Sequence, residues 1–162
     1  MAAISSTPQA HVRAMRWWDI APVHAIEVLA FPDTAWSLEN FWGELAGVPE
    51  TRSYWVAEVE TGVVGYVGLM AVAHEADIQT IAVAPEHRGS GLGDALLGRA
   101  LTEAADRRCS QVMLEVAADN NDAHRLYERH GFTAIAKRSN YYGRGRDALV
   151  MRVRLRSGGR DA

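Results

Sequence analysis

At 162 residues the chain has room for one ordinary domain and not for two. Its 48% hydrophobic and 23% charged residues are those of a globular protein, and no apolar run approaches the ~18 residues of a membrane span. A net charge of −3 argues against a general nucleic-acid binder, and a single cysteine, Cys109, excludes an intramolecular disulfide.

Residues 1–10 are small, polar and unpatterned and read as a disordered leader with no cationic-then-apolar export signal. Together with the lone cysteine this fits a reducing, cytoplasmic setting. His11 to Met15 suits a short strand. From Trp17 or Trp18, with Asp19 as candidate N-cap, a helical pattern runs through Ile20, Val23, Ile26, Glu27 and Ala30. Phe31-Pro32-Asp33-Thr34 breaks it, because proline disfavours helix at the residue before it. Ser37 caps a second helix carrying Leu38, Phe41, Trp42 and Leu45, which ends near Gly47 and Pro49.

The period then changes. Ser53 to Val59 and Val63 to Ala73 form a hairpin about Glu60-Thr61-Gly62, and Ala76 to Val83 is a third consecutive strand. Pro85 stops it, and a glycine-rich turn leads into a long helix from about Ser90 to Arg107. Gln111 to Val116 is a strand; Asn120 to His130 is a helix closed by Gly131. Phe132 to Ser139 and Ala148 to Leu155 are two final antiparallel strands, and residues 157–162 form a disordered polar tail. The order β-α-α-β-β-β-α-β-α-β-β is a meander followed by one crossover. It gives an α+β fold, a mixed and mostly antiparallel sheet with helices on both faces, in a single domain over residues 11–156.

Chemistry concentrates where the strand Ile81-Ala82-Val83 runs through Pro85 into Arg88-Gly89-Ser90-Gly91-Leu92-Gly93 and then a helix. Backbone N–H groups at a helix start lack intrahelical partners and carry partial positive charge, so glycines there let the main chain cradle a phosphate. Arg88 adds a permanent cation. A plain strand-to-helix connection would use glycine in the same places for backbone freedom alone. No Lys-Ser/Thr pair follows, so this is not a Walker loop, and the Gly89, Gly91, Gly93 spacing is not the dinucleotide fingerprint.

The segment from Arg88 to Gly93 resembles the Arg/Gln-x-x-Gly-x-Gly/Ala motif of the GCN5-related N-acetyltransferases. Asn120-Asn121-Asp122-Ala123-His124-Arg125-Leu126-Tyr127-Glu128-Arg129-His130-Gly131-Phe132 is similar to the second motif of that superfamily, Asn-x-x-Ala-x-x-x-Tyr-x-x-x-Gly-Phe. Their separation and the element order also match, so the resemblance spans about residues 11–156. Within the superfamily the chain looks most like the RimI group, ribosomal-protein-alanine N-acetyltransferases. That likeness rests on Ala30-Phe31-Pro32 with Trp36-Ser37, on Leu114-Glu115-Val116, on Arg138-Ser139-Asn140-Tyr141-Tyr142 and on Asp147-Ala148-Leu149-Val150-Met151. Two departures, the longer Asp33-Thr34-Ala35 stretch and Lys137-Arg138-Ser139 in place of a run of arginines, fall on the peptide-binding side.

The resemblance implies acetyl-CoA as cosubstrate, with its pyrophosphate on Arg88 to Gly93, its carbonyl polarised from the Ile81, Ala82, Val83 backbone, and contacts from Asn120 and Tyr127. Glu115 alternates with Leu114 and Val116 on a strand; by itself it is either a solvated glutamate or a general base. Tyr127 shares a helical face with Ala123, Leu126 and His130, as either a core tyrosine or a phenol aimed into the cleft. Resemblance makes them the catalytic base and acid. Asn120 is equally a natural N-cap. Phe31, Trp36, Tyr141 and Tyr142 are the residues expected to line a peptide groove.

The choice of acceptor turns on amine ionisation. A free α-amine is neutral for roughly a seventh of its population at pH 7, a lysine amine for under a thousandth. That gap of about 2.5 units is ~3.4 kcal/mol of deprotonation that a lysine site must supply, so one modest carboxylate suits an α-amine. The resemblance then implies the N-terminal alanine of the eighteenth small-subunit ribosomal protein. Residues 1–80 hold ten acids against three Arg/Lys and residues 81–162 ten against fourteen. This partition suits a basic peptide in front and an anionic cofactor behind, or else the charges are simply solvated. Acetyl transfer to a lysine, polyamine or drug, a non-catalytic CoA-binding module and a nucleotide-binding domain are the rival readings. No metal, membrane or direct nucleic-acid contact is expected of a monomer or weak dimer.

Overall fold

After Pro49 the helical periodicity of residues 20–46 gives way to three consecutive alternating strands. A computed structural model describes residues 10–156; most of the expected leader and the whole expected tail lie outside the described residues. Strand β1 (His11–Ala14) leads through a 3-10 turn at Trp17–Asp19 into helix α1 (Ile20–Ala30). Asp19 precedes α1 but does not cap it. Its carboxylate accepts from the Arg16 backbone N–H and from the two terminal guanidinium nitrogens of Arg13, each at 2.8 Å, tying the turn to β1. Ser37 does cap α2 (Leu38–Ala46), its Oγ accepting from the Asn40 N–H at 3.1 Å.

The remaining elements come in the expected order: β2 (Arg52–Val59), β3 (Gly62–Val72), β4 (Glu75–Val83), α3 (Leu92–Asp106), β5 (Gln111–Ala117), α4 (Asn121–Arg129), β6 (Thr133–Arg138) and β7 (Ala148–Arg154). They build a seven-stranded sheet ordered β1-β2-β3-β4-β5-β7-β6. Every neighbouring pair is antiparallel except β4 and β5, which α3 joins by a crossover. This is the mixed α+β sheet expected. The Gly68 position has a packing reason: a Cβ there would stand 2.2 Å from Cε1 of Tyr54, whose ring lies over the β3 backbone.

Each sheet face has its own core. On one face Leu96, Leu97, Ala100 and Ala104 of α3 and Tyr127 of α4 pack on Val67, Leu69, Val112 and Leu114. On the other, Val23 and Ile26 of α1 and Phe41 of α2 cover Tyr54, Val56 and Tyr66. Glu27 lies within the second core, 1% exposed, and accepts from the Tyr66 hydroxyl and Thr80 Oγ1, both at 2.7 Å. A buried carboxylate persists only when so matched.

Two irregularities of β4 open the sheet. Its pairing with β5 runs from Glu75 opposite Gln111 only to Asp77 opposite Met113; beyond Asp77 the strands have no register partners and splay. Against β3, Leu69 faces Ile78 and Gly68 faces Thr80, so Gln79 is a bulged extra residue. The bulge reverses the alternation. Ile78 packs toward α3, while Thr80, two residues on, reaches Glu27 of α1.

Candidate active site

The splay opens a cleft of about 1130 Å³. Asp77 and Ile81 of β4, Glu115 of β5, and Asn120 and Tyr127 at the N-cap and in the last turn of α4 line it. Phe31 and Trp36 border it from the α1–α2 connection, and Tyr141 and Tyr142 from the β6–β7 loop. Sequence-expected residues from five separate segments thus meet at one opening. Ala82, Val83 and Arg88 to Gly93 are not among its lining; they continue the β4 wall past its end. The Ala82 and Val83 side chains turn into the two cores, leaving only their backbone for a site.

At that end the turn has the form an anion needs. Gly89 and Gly91 take φ of +77° and +84°, the left-handed region, and a Cβ on either would meet no atom within 4 Å. Among the described residues, none accepts from the backbone N–H groups of Gly89 through Asp94; the first donor of the helix is Ala95, bonded to the Gly91 carbonyl at 3.0 Å. Free N–H groups at the positive end of a fifteen-residue helix fit a pyrophosphate. Ser90 Oγ donates to the His87 carbonyl and Arg88 Nε to the Val83 carbonyl at 3.2 Å, which holds the exposed guanidinium over the end of β4. Gly93 has a second use: its absent side chain lets Leu126 of α4 approach, the Cδ2 lying 3.3 Å from where a Cβ would be.

Tyr127 is 6% exposed, with its ring 5.9 Å from that of Phe132, so the core reading of its helical face is satisfied. It also borders the cleft, and no described residue bonds its hydroxyl. Burial, reinforced by Tyr142, pushes the phenol above its ordinary value, which keeps the proton on at neutral pH. Asn120 is likewise both things: its Oδ1 accepts from the Ala123 N–H at 3.2 Å as the α4 cap while the residue lines the cleft.

Glu115 points away from Leu114 and Val116, as alternation requires, and shares its face with Met113 and Asp77. Arg138 of β6 donates to its Oε1 at 2.6 Å and lays its guanidinium 4.3 Å over the Tyr141 ring. Glu115 in turn holds the Tyr141 phenol above its usual range. Tyr141 and Tyr142 meet edge to face at 5.1 Å. Their loop is pinned by Asp147, which accepts from the Asn140 N–H at 2.8 Å, and by Asn140, whose Oδ1 accepts from Gly145 at 2.7 Å. Arg146 of the same loop bridges to Asp33 at 3.4 Å and Asp119 at 3.7 Å, spanning the cleft from the lengthened 33–35 stretch to the end of β5. Cys109 is buried outside the cleft, and burial raises its thiol.

Sequence reasoning missed Asp77, Arg138 as a partner of Glu115, and the Arg146 bridge. Only the first had a local signal, an acid on the cleft-facing register of a strand. The ion pairs join segments separated by 23 and 113 residues, which no local pattern encodes.

Residues 12–132 match the model of the Acetyltransferase (GNAT) family. A Bacillus subtilis protein provisionally named ribosomal protein bS18-alanine N-acetyltransferase is 36% identical over 91% of this chain and 97% of its own length. The ribosomal protein bS18-alanine N-acetyltransferase of Escherichia coli K12 is 42% identical over 49% of this chain and 56% of its own. The fold is similar to the crystal structure of the ribosomal-protein-S18-alanine N-acetyltransferase from Escherichia coli, with TM-score 0.81, 26% identity and 95% and 99% of the two chains covered. It is also similar to Ard1 from Thermoplasma volcanium, with TM-score 0.82, 27% identity and 91% and 98% covered.

Proposed function

The chain belongs to the GNAT acetyltransferase family and is an N-acetyltransferase, and from that premise we propose that it moves the acetyl group of acetyl-CoA onto the α-amine of a protein N-terminus. The acceptor we favour is the N-terminal alanine of ribosomal protein bS18, the substrate in the names of its relatives. One observation carries the reading. A cleft opens between two parallel strands, with unbonded backbone N–H groups continuing one wall and a carboxylate and a protonated phenol lining it.

Acetyl-CoA supplies a thioester whose carbonyl is open to attack by a neutral amine. In this reading the Gly89 to Asp94 N–H groups and Arg88 hold the pyrophosphate, and the backbone of Ile81 to Val83 faces the acyl arm. Phe31, Trp36, Tyr141 and Tyr142 wall the acceptor side, and their aromatic surface holds the peptide while excluding water. Glu115 takes the proton that the α-ammonium must lose, directly or through a water, and its carboxylate faces the cleft on the acceptor wall. Tyr127 gives its phenolic proton to the departing thiolate; burial keeps that proton in place at neutral pH. An α-amine needs far less help to deprotonate than a lysine, which suits a site with one base already in an ion pair.

The test is a panel of acetyl-CoA acceptors: a peptide beginning with free alanine, the same peptide with its α-amine blocked and one internal lysine, and spermidine. Turnover confined to the free α-amine is expected. Equal turnover on the blocked peptide would move the acceptor to lysine.

A further inference from the structure

Four acids line the cleft: Asp33, Asp77, Glu115 and Asp119. Three are paired with cations, Glu115 with Arg138 and both Asp33 and Asp119 with Arg146. Asp77 is not. Among the described residues no side chain and no backbone N–H donates to its carboxylate, and no cation lies within ion-pair distance.

Its place in the sheet is specific. Asp77 is the last residue of β4 in register with β5, so it stands at the vertex of the splay. Ala76 and Ile78 on either side of it point into the core beneath α3. Asp77 therefore points to the opposite face, the one that carries Met113 and Glu115. Past it, the Gln79 bulge redirects the strand, so no later β4 residue repeats this position.

The location is unfavourable for an unpaired negative charge. Half-burial, then the like charges of Glu75 and Glu115, hold the Asp77 carboxyl above its ordinary range. A cation arriving from outside offsets these effects by favouring the charged carboxylate. The nitrogen to be acetylated enters this cleft as an ammonium group, a compact charge with three N–H donors that a single carboxylate can anchor.

We propose that Asp77 is a specificity-determining residue that receives the acceptor's α-ammonium group at the vertex of the splay and presents it to Glu115. The inference rests on the acetyltransferase reading and adds the residue that reads the charge of the acceptor. Asp77 then acts chiefly on binding, whereas Glu115 acts on proton removal. A blocked N-terminus has no charge for Asp77 to hold.

The experiment measures binding and not turnover, in the presence of saturating CoA, by fluorescence anisotropy. The probes are a labelled peptide with a free N-terminal alanine and the same peptide already acetylated there. The wild-type protein should prefer the free amine by about tenfold, the worth of one charge-assisted contact, and lose the preference as salt is raised. Asp77→Asn should bind the two peptides within twofold of each other while CoA affinity stays as in the wild type, and Asp77→Glu should recover part of the preference. A full preference retained by Asp77→Asn, or no preference in the wild type, overturns the proposal. Acetyl transfer by a protein whose Asp77→Asn variant still discriminates sinks the anchor and spares the function. An intact anchor in a protein that never turns over acetyl-CoA does the reverse.

Discussion

The Arg138 guanidinium lies 2.6 Å from Oε1 of Glu115 while stacking at 4.3 Å on Tyr141, so one cation joins acidic and aromatic parts of the cleft wall. The pair holds Glu115 facing the cleft, on the side where the proposed base would act. Glu115→Gln keeps the shape and removes the proposed base. Turnover at neutral pH should fall about 100-fold, within the usual worth of a general base, and the deficit should widen toward lower pH, where neutral amine is scarcer. A pH–rate profile that overlays the wild type would remove Glu115 from that role.

Tyr127→Phe tests the proposed acid. The phenol is held above its ordinary value near 10 by burial and by Tyr142. A group shifted upward stays protonated below that range, so the hydroxyl has its proton to give throughout pH 7 to 9. The variant should turn over about 100-fold more slowly with CoA affinity changed by less than twofold. Full activity would return Tyr127 to the core, where its contact with Phe132 already places it.

Gly91→Ala separates cradle from scaffold. At φ +84° an alanine costs about 1 kcal/mol of backbone strain, yet its methyl meets no protein atom within 4 Å. The variant should therefore fold with a modest loss in a urea melt and lose CoA affinity by more than that strain accounts for, about tenfold or greater by calorimetry. Unaltered affinity would mean the turn binds no phosphate.

The order of elements was legible because each segment keeps a clean period, 3.6 in the helices and 2 in the strands, punctuated by Pro32, Pro85 and Gly131. The helix caps at Ser37 and Asn120 were legible because a side-chain oxygen three residues before a free N–H is a local relation. Asp19 looked the same and behaves otherwise, because Arg13 on the neighbouring strand outcompetes the helix for its carboxylate. The cleft was anticipated from motifs, but the Gln79 bulge that turns Thr80 toward α1 and leaves Asp77 at the vertex has no local signature. Nor do Arg138 and Arg146, whose partners are chosen by the packing of β6 and its loop across the sheet.

The buried Glu27 gives a prediction about stability alone. Its carboxylate shares two 2.7 Å bonds with Tyr66 and Thr80 on the far side of the sheet from α3. Tyr66→Phe removes one of the three donors to this carboxylate, leaving Thr80 and the Trp36 N–H, at a cost of about 1 to 3 kcal/mol. Urea denaturation should register that loss, with CoA binding intact in the folded fraction. No change in midpoint would show that water replaces the hydroxyl.

Transfer of an acetyl group to an α-amine is the central proposal, and mass spectrometry of an alanine-headed bS18 peptide incubated with acetyl-CoA and this protein addresses it most directly. The expected product carries one acetyl group, mapped by fragmentation to the first residue, and forms in step with free CoA. An unmodified peptide despite measurable CoA binding, or an acetyl group mapped to a lysine side chain, would contradict it.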